Sequence, residues 1–140
     1  MPRVYEKLGM RFQYPDNWTL DESEALEGGN SVAVYSPGGA FWSIVVHPIT
    51  SNPSDLAKAA LKVMKAEYEQ LDTEAVSEEV GDVELRGYDL NFYCLDLTNT
   101  ALVRALRHGE NTYLILCQAD DREFAEVEPV FRAITASLVM

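Results

Sequence analysis

GYDLNFYCLDLTNTALVRALRHGENTYLILCQA, residues 87–119, is the stretch on which the fold turns. It divides into three runs rich in Val, Ile, Leu, Phe, Tyr and Cys: Gly87–Leu97, Thr100–His108 and Asn111–Ala119. The polar breaks between them, Thr98-Asn99 and Gly109-Glu110, have the length and residue types of two-residue hairpin turns. The stretch therefore predicts an antiparallel meander. With those turns Leu97 faces Thr100 and His108 faces Asn111, which sets Leu95, Leu102 and Cys117 on one face beside Tyr93, Leu106, Tyr113 and Ile115. Cys94, Val103 and Leu116 take the other face with Leu90, Phe92, Ala105 and Leu114. Both faces are apolar, and an apolar sheet face needs a layer over it, so cover is expected on each side.

Upstream, Asn52-Pro53-Ser54-Asp55 opens a helix: Asn52 can cap it, Pro53 suits its first position and Asp55 favours the positive end of the dipole. Ala57, Ala60, Leu61, Met64, Tyr68 and Leu71 then form one apolar stripe, so the helix runs to about Leu71. Before it come a short strand from Met10, a turn at Pro15-Asp16-Asn17 that brings Trp18 back to the sheet, an acidic loop over Asp21–Asn30, and strands at Ser31–Tyr35 and Ala40–Pro48. After it, Thr73–Val80 and Asp82–Leu85 read as short strands about Gly81, with Glu78, Glu79, Asp82 and Glu84 pointing outward as on a sheet edge. At the C-terminal end Asp120 can cap a helix. Pro129 is expected to break it, giving one piece ending near Glu126 and a second carrying Val130, Phe131, Ile134 and Leu138. The sum is a single α+β domain, 1–140, with a mostly antiparallel sheet of six or seven strands and helices on both faces.

A formal charge of −12 argues against a nucleic-acid partner, which needs clustered Lys and Arg. No apolar run is long enough to span a bilayer, and the first residues lack the apolar core of a secretory signal, so a cytoplasmic protein is expected. Cys94 and Cys117 fall on opposite faces of the meander and should be unbridged core thiols.

No motif carries chemistry. Gly38-Gly39 lacks the Lys and Ser or Thr of a phosphate loop, Ser36-Pro37-Gly38 is a turn rather than a nucleophile elbow, and His47 and His108 have no third ligand at metal-site spacing. The expectation is therefore no catalytic, cofactor-binding or metal-binding residue, and no cofactor. Acidic residues gather in Glu67–Glu84 and Asp120–Glu128. They read either as a solvated face or as a docking surface for a basic protein or cation. Phe41 and Trp42 follow a flexible turn on neighbouring strand positions, so one faces opposite the other, and each can pack under a helix or lie on a binding surface.

The order of elements, with Phe12-Gln13-Tyr14-Pro15-Asp16-Asn17-Trp18 near the start and Tyr113-Leu114-Ile115-Leu116-Cys117-Gln118-Ala119 leading into Phe124 and the Pro129–Leu138 helix, resembles the PsbP/Mog-like superfamily. That resemblance implies an α/β/α sandwich. It also implies binding more than catalysis, since relatives of the fold include a Ran-GTPase-binding transport factor, extrinsic photosystem II subunits and bacterial proteins grouped with effector chaperones. The function expected is a non-catalytic, chaperone-like protein-binding or adaptor module, monomeric or homodimeric, with a basic partner at Phe41, Trp42, Glu78, Glu79 and Glu84. The alternative is a small hydrolase or ligand-binding protein with a pocket between sheet and helix.

Overall fold

The computed structural model describes residues 1–140. Strands β1 (Arg3–Lys7) and β2 (Met10–Tyr14) form a separate hairpin, and β3 (Thr19–Asp21) opens the main sheet. One helical turn, α1 (Ser23–Leu26), leads to β4 (Ser31–Tyr35) and β5 (Phe41–Pro48). Helix α2 (Pro53–Glu67) follows, then β6 (Leu71–Val80), β7 (Val83–Cys94), β8 (Leu97–His108), β9 (Asn111–Asp120) and helix α3 (Asp121–Val139). The main sheet has seven strands in the order β3-β4-β5-β9-β8-β7-β6, every pair antiparallel. The fold is α+β with a helix on each side, as the two apolar faces require.

On one face α3 and the β1–β2 hairpin enclose a cluster of 20 buried side chains centred on Trp42, Ile44, Leu106, Tyr113, Ile115 and Phe131. Phe12 stacks on Tyr5 and tilts against Trp42, with ring centroids 5.2 and 4.8 Å apart. On the other face Ala57 and Met64 of α2 form a seven-residue buried cluster with Leu90, Phe92, Ala101, Val103 and Ala105 of the sheet. The Asn52 side chain caps α2 by accepting from the Asp55 amide, and Asp120 caps α3 by accepting from Arg122 and Glu123.

The structure corrects several boundaries. The β8–β9 turn is Gly109-Glu110 as read, but β7 and β8 turn at Leu95-Asp96, not Thr98-Asn99. Both turn residues have positive φ, 53° and 63°, the geometry of a type I′ hairpin in residues that rarely adopt it. The displacement is even in register, so every side chain keeps its face. Tyr93 and Leu95, however, move from the core to the hairpin tip and are 65% and 91% exposed. Helix α3 runs through Pro129 unbroken. Proline and the Ala125 carbonyl it leaves unpaired both lie on the exposed side, where water reaches them, while Val127, Phe131, Ile134 and Leu138 hold the buried side. The acidic segment after α2 is not a pair of short strands: β6 is ten residues long, and Asp82 lies in the turn to β7. The expected loop over Asp21–Asn30 contains α1, and α2 ends at Glu67 because Leu71 starts β6.

Candidate functional site at the open edge of the sheet

Neighbouring residues of β5 take opposite faces, which separates Phe41 from Trp42. Trp42 is 0% exposed, and its indole Nε1 donates to Thr135 Oγ1 at 2.9 Å. It is a core residue under α3, so the docking role expected of it fails for want of surface. Phe41 lies half-buried on the other face, its ring 5.9 Å from that of Tyr35, which is 39% exposed. Glu78, Glu79 and Glu84 sit at the far side of the sheet, with β9 and β8 between β5 and β7. The candidate residues therefore do not form one site.

The β6–β7 end holds a constellation of its own. Asp72, Glu74 and Glu78 alternate along the α3 side of β6, and Asp89 stands opposite Glu74 on β7. Helix α3 lies over β8 and β9, leaving this corner without a helix above it. One cation answers the acids. Arg104 on β8 faces Gly87 on β7 and crosses it, donating from Nε to Glu78 Oε1 at 3.0 Å and from Nη2 to Asp89 Oδ1 at 2.7 Å. Its Nη1 donates to the carbonyls of Tyr88 and Val103 at 3.2 and 3.0 Å. Burial weakens the guanidinium's hold on its proton, but hydrogen bonds and charge from Asp89 and Glu78 outweigh that, keeping its pKa above the ordinary value. Gly87 is indispensable here, because a Cβ at that position would lie 1.7 Å from the Val103 carbonyl oxygen.

These contacts divide the three glutamates. Glu78 is tied to Arg104, and Glu84 accepts from Arg86 Nε at 2.7 Å, so neither is the free outward charge expected from the sequence. Glu79 is exposed and unpaired, as are Asp72 and Glu74 on the same strand. What sequence reasoning missed is the Arg104 cluster. Its signal was a lone arginine inside the apolar run Ala101–Leu106.

Between α2 and the sheet lies a cleft of about 500 Å³ lined by Ser54, Lys58, Ser77, Arg86 and Tyr88, among others. Neither histidine borders it, and no three His, Cys, Asp or Glu side chains converge as metal ligands would. Both cysteines are free, and burial pushes the Cys117 thiol far above its ordinary range, so it is no nucleophile at neutral pH. No helix is long and apolar enough to cross a membrane.

No family model matches the chain, and neither does any curated protein. Its likeness is to solved structures. Cyanobacterial PsbP (CyanoP) from Synechocystis sp. PCC 6803 superposes with a TM-score of 0.66 at 13% identity over 97% of this chain and 90% of that one. The Ran-binding protein Mog1p of Saccharomyces cerevisiae gives 0.61 at 9% identity over 98% and 92%. A Pseudomonas aeruginosa protein of unknown function, described as a putative regulator, gives 0.60 at 11% over 99% and 96%. At such identities the agreement speaks to backbone arrangement across almost the whole length. The chain has the PsbP/Mog1-like fold.

Proposed function

We propose that the protein is a non-catalytic, cytoplasmic adaptor that binds a basic protein partner along the β6 edge. The observation that carries this reading is a ten-residue outermost strand with acidic side chains unpaired at Asp72, Glu74 and Glu79 and no helix over its α3 side. A long exposed edge is a standing template for pairing, usually shortened, twisted, covered or charged, and of these this edge has charge alone on its α3 side. The Ran-binding neighbour supports protein binding as a use of this fold. Acidic charge around the edge favours encounter with a cationic surface, with an effect that fades as salt screens it over roughly 8 Å at physiological ionic strength.

Affinity capture from native extract at low and high salt, with a variant carrying Asp72→Lys, Glu74→Lys and Glu79→Lys, tests the reading. Wild type should retain specific proteins at low salt and lose them at high salt, and the variant should lose them at both. Identical recovery by both proteins at both salts refutes it. The α2 cleft, with Lys58 and Arg86 at its walls, favours a second reading as a small-anion binder. Titration with inorganic phosphate followed by amide chemical shifts decides that one, through saturable changes at Ser54, Ser77 and Tyr88 or their absence.

A further inference from the structure

We propose that β6 accepts an extended segment of a partner chain as an eighth strand, and that this segment alternates basic and acidic side chains. The proposal rests on the protein-binding reading and specifies its geometry. Alternate amides and carbonyls of β6 point away from β7 and have no strand to meet. Within the main sheet the opposite edge strand, β3, has three residues, and the strands of the separate β1–β2 hairpin have five each, so the longest ladder is offered by the ten residues of β6.

The charges on the two sides of that edge differ. Toward α3 the edge carries Asp72, Glu74 and Glu78, with Val76 and Val80 on the same side. Toward α2 its side chains are Leu71, Thr73, Ala75, Ser77 and Glu79, three of them small, and Ala75 and Ser77 line a cleft with Ser54, Ala57 and Lys58 of α2. Lys58, Lys62 and Lys65 follow one another at i, i+4 and i+7 and so share one stripe of α2. Buried Ala57 and Met64 mark the side of α2 that meets the sheet, about a third of a turn from the lysines on average. Lys58 lines the cleft with Ala75 and Ser77, so that rotation is toward β6. All three lysines are exposed and none is in an ion pair, in a chain of charge −12.

Successive side chains of an added strand point to opposite faces. Those on the α3 side would meet carboxylates and should be basic, and those on the α2 side would lie beside the lysine stripe and should be acidic. Acids alone could be explained as protection of an edge against aggregation. The lysine flank has no part in that explanation. A second copy of the chain is a poor occupant, because pairing β6 with itself would bring carboxylate rows together.

The probe is an acetylated, amidated (Lys-Glu)5 decapeptide titrated into isotope-labelled protein, with amide shifts and exchange as readouts. Slowed exchange at Leu71–Val80 and saturable shifts there and, more weakly, along Lys58–Lys65 are expected. N-methylation of alternate peptide amides should weaken binding at least tenfold, and a variant with Lys58→Glu, Lys62→Glu and Lys65→Glu should weaken it by about tenfold while leaving a (Lys-Thr)5 peptide unaffected. Circular dichroism of that variant, whose changes are all on an exposed helix flank, verifies its fold. Absence of saturable shifts at β6, or equal binding by the N-methylated peptide, overturns the proposal. If that happens while charge-dependent capture persists, strand addition falls and the protein-binding reading stands; if capture also fails, both fall.

Discussion

The two ends of the sheet are built on different terms. At the β3–β4–β5 end the edge strand is three residues long, and the α3 side of β4 and β5 is sealed by helix, hairpin and stacked aromatics into the larger buried cluster. At the β6 end the edge is ten residues long, its helix-free corner is held by one arginine between two carboxylates, and its side chains are mostly charged or small. Hydrophobic burial stabilises in proportion to area removed from water, so the first end carries most of the stability. The second keeps its shape through the ladder with β7 and the Arg104 cluster, which leaves a surface free to bind. On the proposed reading, stability and recognition lie at opposite ends of one sheet.

Replacing a core residue at the closed end should have the largest effect. Trp42→Ala should cost about 4 kcal/mol by denaturant unfolding, since it empties a site among Phe12, Ile44 and Phe131 and leaves Thr135 without its donor. Tyr93→Ala at the open corner should stay within about 0.5 kcal/mol, and comparable costs for the two would erase the contrast. Gly87→Ala comes next at about 3 kcal/mol, because its Cβ meets backbone rather than a side chain that can swing away. Arg104→Met should cost less, about 1–2 kcal/mol, since Glu78 and Asp89 are 35% and 36% exposed and water can replace the lost donor.

A pH effect of similar size belongs to the closed end. Burial holds the Cys117 thiol protonated in the folded state well past the pH, about 8.5, at which the unfolded chain ionises. Below that pH both states are protonated and nothing changes. Above it the unfolded state alone releases the proton, so stability should fall by about 1.4 kcal/mol per pH unit from this group, and Cys117→Ala should remove that slope in a pH series of unfolding curves. Smallest of all, Asp72→Lys with Glu74→Lys and Glu79→Lys should alter stability by no more than about 0.5 kcal/mol, which makes the triple variant a clean probe of binding.

The closed end was the more legible in the sequence, for a physical reason. Apolar alternation reports which face a residue takes, so Leu106, Tyr113 and Ile115 fall with Cys117 across the Gly109-Glu110 turn, and because parity survives an even slip Leu90 and Phe92 keep the face of Val103 and Ala105 although β7 and β8 turn at Leu95-Asp96. The turn itself was not legible because Leu95 and Asp96 adopt a conformation that the sequence signals with Asn or Gly elsewhere. That slip hid the open end. In the register read from the sequence Arg104 faced Tyr93; in the true one it faces Gly87, and only there does the missing side chain make room for the guanidinium to reach Glu78. Trp42 could be set on a strand but not chosen between core and surface, because its partner Thr135 is 93 residues away.

Hydrogen exchange, measured on the protein alone and on the charge-dependent complex captured from native extract, tests the division most directly. Amides of Leu71–Val80 should exchange faster than those of β5 and β9 in the free protein and should gain protection in the complex, with little change elsewhere. Protection appearing instead around Tyr35 and Phe41, or along the groove between Pro15 and Pro129, would place recognition at the closed end and contradict the account.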